Sequence, residues 1–151
     1  MRTLALIAAA GLAGVPGAQV VAQQADGVAV TITVTNIRND DGVVRACMTA
    51  DEDEFPRCQD NPDAHRAVVD ASEEGVTFRF YNVQPGRYAI ALLHDEDDDG
   101  KMDRALGMMP TEGYGFSRDA RVTTGPPRFS SAAIDIGSEP LSQSIRMRYW
   151  L

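Results

Sequence analysis

The chain has 151 residues with 22 acidic and 14 basic side chains, a formal net charge of −8 at neutral pH. That balance argues against nucleic acid or an anionic lipid surface as the partner, because neither attracts an acidic protein. The length supports a single domain with one core.

The N-terminus reads as an export signal. Met1-Arg2 gives a short positive start, Leu4 to Val15 is apolar, and Val20-Val21-Ala22 supplies the small residues a signal peptidase reads. The expected boundaries are a signal peptide over 1–22 and one domain over 23–151. The apolar run is too short for a membrane anchor. The protein is thus expected to be periplasmic or secreted, without a membrane span, and a monomer.

The rest reads as short β-runs between turns. Val28 to Thr35 alternates with period two, which puts Val28, Val30, Ile32 and Val34 on one face. Asn39-Asp40-Asp41-Gly42 is a turn, and Val43 to Thr49 reads as the returning arm of a hairpin. A shorter run follows at Ala67 to Asp70. Gly75 to Tyr81 alternates again, with Val76, Phe78 and Phe80 together. Pro85-Gly86 turns the chain into an apolar run from Arg87 to His94. From Asp95 to Pro127 no regular pattern emerges, and long loops in compact domains commonly carry function. Arg128 to Ile136 and Leu141 to Trp150 read as the last strands. The fold class is therefore all-β, a single antiparallel β-sandwich of about seven strands, immunoglobulin-like or prealbumin-like, with a long acidic loop between late strands.

Cys47 and Cys58 are the two cysteines of the chain. In an oxidising compartment such a pair reads as a disulfide. The competing reading, a metal site from Cys47, Cys58, His65 and His94, has the ligand types without a zinc spacing.

The most specific signal lies at the start of the long loop. Asp95, Asp97, Asp99, Gly100 and Asp103 reproduce the D-x-D-x-D-G-x-x-D spacing of a calcium loop. Alternate side chains on a tight coil converge on one point, where a hard cation gathers oxygens at about 2.3–2.6 Å. Gly100 permits the turn after which the Lys101 carbonyl can face inward. Leu106 stands where a helix-loop-helix site has its bidentate glutamate, so the loop reads as grafted on a β scaffold. Glu112 is the nearest acid able to fold back as a further ligand. Calcium is the expected cofactor.

Three groups of residues carry a family resemblance. They are Asn82 to Ile90, His94-Asp95 with its acidic continuation to Asp103, and Leu106-Gly107 followed by Pro110-Thr111-Glu112-Gly113-Tyr114-Gly115-Phe116-Ser117. In this order the chain resembles the DUF2141 family (domain of unknown function 2141), small exported bacterial proteins, over about Val28 to Tyr149. The family pattern has asparagines where this chain has aspartates at the second and third loop positions, which makes the site here more negative. The resemblance implies export and a β-sandwich, and brings no established activity. The turn into the Tyr88 strand also resembles prealbumin-like and adhesin modules, a likeness of fold alone.

The expected role is that of a non-enzymatic, calcium-binding interaction module for a protein or small ligand. The alternative is an exported hydrolase, or a copper-binding protein, that uses the 94–117 loop as its site. Ser117 with His94 and an aspartate would make a nominal triad, although no nucleophile elbow is present. Met102, Met108 and Met109 near His94 would be soft copper ligands. His94, Tyr114 and Phe116 are the candidates for a binding surface. For the two aromatics, packing is the competing and favoured role.

Overall fold

The computed structural model describes residues 27–150, so the expected signal peptide over 1–22 lies outside the described residues. Ten strands form along this span: β1 (Val28–Thr35), β2 (Val43–Thr49), β3 (His65–Asp70), β4 (Val76–Val83), β5 (Gly86–Asp95), β6 (Arg104–Ala105), β7 (Met109–Pro110), β8 (Gly113–Phe116), β9 (Ile134–Ile136) and β10 (Leu141–Arg146). One short helix, α1, covers Phe129–Ala132. The architecture is all-β and sandwiched, as the alternating runs predict.

One layer has the order β10-β1-β4 and the other β3-β2-β5-β8, with β9 also on β5. The expected hairpin of β1 and β2 does not form. β1 pairs with β4 and β10, whereas β2 pairs with β3 and β5. In opposite layers, the apolar rows of β1 and β2 can face each other across the core instead of lying side by side in one sheet. Asn36 makes the crossing possible. It adopts a left-handed φ of 62° and donates its side-chain amide to the Met147 carbonyl at 2.8 Å. The β1–β10 pair is parallel, with Val30 opposite Leu141 and Thr35 opposite Arg146, an exception to the otherwise antiparallel pairing.

The inner core gathers Val30, Ile32 and Val34 of β1, Phe78 and Phe80 of β4, Val44, Ala46 and Met48 of β2, and Ile90 and Leu92 of β5. A second cluster covers the outer face of the β2-β5-β8 sheet. It contains Cys47 and Cys58, Phe55, Ala89, Ala91, Tyr114, Phe116, Phe129 and Ala132. Cys47 and Cys58 are joined by a disulfide. With apolar layers on both sides, β5 is buried continuously from Ala89 to Leu92, which is why its sequence does not alternate. The 128–136 segment, expected as one strand, instead forms α1 and then β9. The single helical turn sets Phe129 and Ala132 three residues apart on the second core.

Candidate functional site

The acidic loop leaves β5 at Asp95, a position still held in the ladder opposite Val43 of β2. Asp95 is fully buried. Its Oδ1 accepts the Asp99 N–H at 3.1 Å and its Oδ2 accepts the Gly100 N–H at 2.9 Å. The Arg45 guanidinium, reaching up from β2, donates through Nε to Asp95 and through a terminal nitrogen to Asp98. The loop then coils on its own carboxylates. Asp97 accepts the Asp99 N–H at 3.2 Å, and Asp99 accepts the Lys101 N–H at 2.7 Å. Left-handed backbone at Asp98 and at Gly100 (φ 58° and 83°) tightens this coil. A side chain at position 100 would meet open space, so the glycine is there for its backbone freedom.

The coil brings one carboxylate oxygen from each of Asp95, Asp97 and Asp99 within 4.8 Å of the others. Asp103 is outside that trio and sits at the exit of the loop, where its carbonyl accepts the Thr111 N–H at 3.0 Å. The Lys101 backbone contributes its N–H to Asp99, as described above. Glu112 does fold back. Buried at the entrance to β8, it accepts the Glu96 N–H at 2.9 Å on Oε1 and the Asp103 N–H at 3.0 Å on Oε2. One carboxylate thus ties both ends of the loop together. Glu96 is tied in turn to Arg38 and to the Asn39 amide.

Electrostatics separate these acids. Burial pushes the Asp95 carboxyl up, but the hydrogen bond from Arg45, the Gly100 and Asp99 N–H groups and the charge of Arg45 together outweigh it and hold it below the usual range. Glu112 goes the other way. Burial raises it, the N–H groups of Asp103 and Glu96 offset part of the effect, and the charges of Asp95 and Asp103 raise it further. Asp97 is also raised, by desolvation and by the neighbouring charges of Asp99 and Asp103. Crowded carboxylates whose ionised forms are penalised define a place where added positive charge lowers the energy.

His94, Tyr114 and Phe116, the candidates for a binding surface, are all buried. The Asp41 carbonyl can only accept, so His94 Nε2 carries the hydrogen and donates to it at 2.9 Å. His94 Nδ1 is hydrogen-bonded to the Tyr149 hydroxyl at 2.8 Å, and the Tyr149 oxygen accepts the Arg38 N–H at 3.1 Å. Both ring nitrogens therefore join the acidic loop's entrance to the 36–41 crossing and the C-terminal segment, and their hydrogen-bond partners are Tyr149 and Asp41, not Ser117. Ser117 is equally committed: its hydroxyl accepts the Ile90 N–H at 2.9 Å and donates to the Ala132 carbonyl. The cysteines of the alternative metal site are consumed by the disulfide. Met108 stands exposed while Met102 packs against the second core.

The 113–116 segment, expected to be irregular, is strand β8, antiparallel to β5 with Tyr114 opposite Leu93 and Phe116 opposite Ala91. Its Gly-Tyr-Gly-Phe pattern alternates for a steric reason. A Cβ on Gly113 would lie 2.4 Å from the Tyr149 ring, and one on Gly115 would lie 3.0 Å from Ile145 Cγ2. The glycines face the C-terminal segment closely while the aromatics fill the second core, with Phe116 edge-on to Phe55 at 5.8 Å. Sequence reasoning missed Arg45, Arg38 and Tyr149. The alternation of β8 was a usable signal for the strand, but nothing local marks an arginine whose carboxylate partner lies fifty positions away.

The chain belongs to the family described as uncharacterized protein conserved in bacteria (DUF2141), whose model matches residues 32–144. Neither a curated protein nor a solved structure matches it. Among the described residues, no helix is long and apolar enough to cross a membrane.

Proposed function

We propose that this is an exported, non-enzymatic β-sandwich that binds calcium in the 95–103 loop and serves as an interaction module. The observation that carries the reading is the trio of oxygens from Asp95, Asp97 and Asp99 within 4.8 Å of one another. The loop's own N–H groups aim those carboxylates, so the order a cation needs is largely present before it arrives. In this reading Asp95, Asp97 and Asp99 supply side-chain oxygens and the Lys101 carbonyl and Asp103 complete the shell. Glu112 either joins them or keeps its place as the clasp of the loop. Calcium is favoured over zinc by the donor set, which is oxygen throughout. Calcium then lowers the cost of crowding the acids and fixes the end of the domain at which a partner docks.

The test is thermal unfolding of the protein after passage over a chelating resin, with and without calcium. A ligand that binds only the folded state stabilises it by about 2.7 kcal/mol at a hundredfold excess over its Kd. Without a glutamate at Leu106 the expected Kd is about 10⁻⁴–10⁻³ M, so 10 mM calcium is an informative dose. Asp99→Ala, which removes the side-chain oxygens altogether, should keep the fold and lose most of the shift in Tm. An unchanged Tm for the native protein at that dose would refute the site, and an equal shift with magnesium would refute the choice of ion.

A further inference from the structure

The chain's negative charge is unevenly spread, and the arginines of its C-terminal third gather around a pair of hollows. From Arg118 to Arg128 there are three arginines and one acid, Asp119, and Arg146 and Arg148 follow on and just beyond β10. The first hollow, about 370 Å³, is lined by Tyr114, Arg121, Val122, Thr123 and Arg148. The second, about 350 Å³, shares Arg121 and Thr123 with it and adds Thr124, Arg128 and Ser131. The two are therefore neighbours, joined across Arg121.

One wall of the first hollow is fixed. Tyr114 and Arg148 exchange backbone hydrogen bonds, Tyr114 N–H to the Arg148 carbonyl at 2.9 Å and Arg148 N–H to the Tyr114 carbonyl at 2.8 Å. The Arg148 guanidinium is held by two carbonyls, of Ala120 at 2.9 Å and Asp119 at 2.8 Å, which orient it without cancelling its charge. Asp119, the one acid nearby in the chain, spends Oδ1 on the Arg146 N–H at 2.9 Å. Among the described residues the arginine ion pairs are those of Arg38 and Arg45, so Arg121, Arg128 and Arg148 face the hollows without a carboxylate partner. Three uncompensated guanidiniums with threonine and serine hydroxyls between them form a donor-rich concavity, the arrangement that recognises oxyanions through paired N–H groups. Two adjoining lobes on one shared arginine suit a ligand with at least two anionic groups. On a chain of net charge −8, such a site attracts through its local field against the overall one.

We propose that the arginine-lined hollows bind a small polyanion, an organic molecule bearing two or more phosphate or carboxylate groups. The site is separate from the acidic loop and does not depend on calcium. The experiment is titration of the ¹⁵N-labelled, disulfide-bonded protein in calcium-free buffer of low ionic strength. Pyrophosphate is the probe in one arm and citrate in the other. Saturable shifts of the Tyr114, Val122, Thr123 and Arg148 amides are expected. Response to pyrophosphate alone identifies a phosphate-bearing ligand, to citrate alone a carboxylate-bearing one, and to both a site that reads charge and spacing. Arg121→Gln should weaken binding at least about tenfold, the loss of one charge-assisted hydrogen bond. Arg121 is exposed and its side chain makes no hydrogen bond or ion pair among the described residues, so this variant remains folded. Arg79→Gln, on β4 with its side chain on Thr31, should bind as the native protein does. The proposal is overturned if neither anion gives saturable shifts at these amides. It is overturned equally if Arg79→Gln weakens binding as much as Arg121→Gln, which would reveal diffuse attraction.

Discussion

Arg45 does for Asp95 what a cation would do, and this makes it the most telling residue of the acidic loop. A fully buried carboxylate without a counter-charge is strongly penalised, and Arg45 removes that penalty in calcium-free protein. Arg45→Ala should therefore cost about 3 kcal/mol in the absence of calcium. It should cost less at saturating calcium, because the ion then compensates Asp95 and no longer competes with a guanidinium. Urea midpoints under the two conditions measure the difference; equal losses would mean that calcium binds away from Asp95. His65 offers an independent readout at the same scale. It is half-buried on β3 with its ring near Phe80 and Tyr88, and burial lowers its pKa from the ordinary value of 6.5. A depressed value means that the unfolded chain binds the proton more readily than the folded one. The contribution of this residue is thus intact above pH about 6.5 and is lost as the pH falls through the folded-state value. His65→Gln should flatten the part of the stability profile between pH 7.5 and 5 that this loss produces, as followed by urea midpoints. An unaltered profile would assign the acid lability to other groups.

Strand β8 couples the second core to the acidic loop. Glu112 precedes it and clasps the loop, and Tyr114 and Phe116 are its hold on the sheet. Truncating Phe116 removes its contact with Phe55 and leaves a cavity beside the disulfide, at a cost of about 3–5 kcal/mol. Phe116→Ala should lower the Tm and weaken calcium together, since a loosened β8 no longer sets Glu112 and the loop must be ordered on binding. Calorimetric titration with calcium alongside a melt measures both. Lower stability with unchanged calcium affinity would show that the clasp is set independently of the strand that follows it. The β6–β7 ribbon, by contrast, projects beyond the cores. It carries Leu106 and Met108, 87% and 81% exposed, and contributes little burial of its own.

At the scale of the whole molecule, the last strand closes the sandwich. β10 lies parallel to β1, and Ile145 and Met147 reach into the inner core with no exposed area. The C-terminal segment also brings Tyr149 to His94 and Arg148 to Tyr114. Deleting residues 138–151 would leave β1 with an unpaired edge and open the inner core. The truncated chain should show no cooperative thermal transition and poor amide dispersion. A cooperative melt would mean that β1 and β4 stand without the third strand of their layer.

The period-two runs of β1, β2 and β4 were legible in the sequence because successive side chains on a strand point to opposite faces, so burial on one side writes itself into neighbouring residues. The acidic spacing from Asp95 to Gly100 was legible for a similar reason: a tight coil makes near neighbours converge. The disulfide could be read from a single pair of cysteines and the expectation of export, and the family from the blocks around Tyr88, Asp95 and Tyr114. Other features rest on contacts between distant positions. Whether β1 meets β2 or β4 is decided by which arrangement buries both apolar rows, and no local pattern contains that comparison. Gly113 and Gly115 are small because Tyr149 and Ile145 lie across from them, some thirty residues on. Arg45 meets Asp95, and Arg121 joins Arg148 around one hollow, only after the sheets have stacked. The sequence by itself determined the alternating strands of the first half, the bridge and the coil of aspartates, where the interacting groups are close along the chain or, for the cysteines, alone of their kind. Tertiary structure alone decided the layers, the charges set against the acidic loop and the basic hollows, because the energies of those pairings depend on distances that come into being when the chain folds.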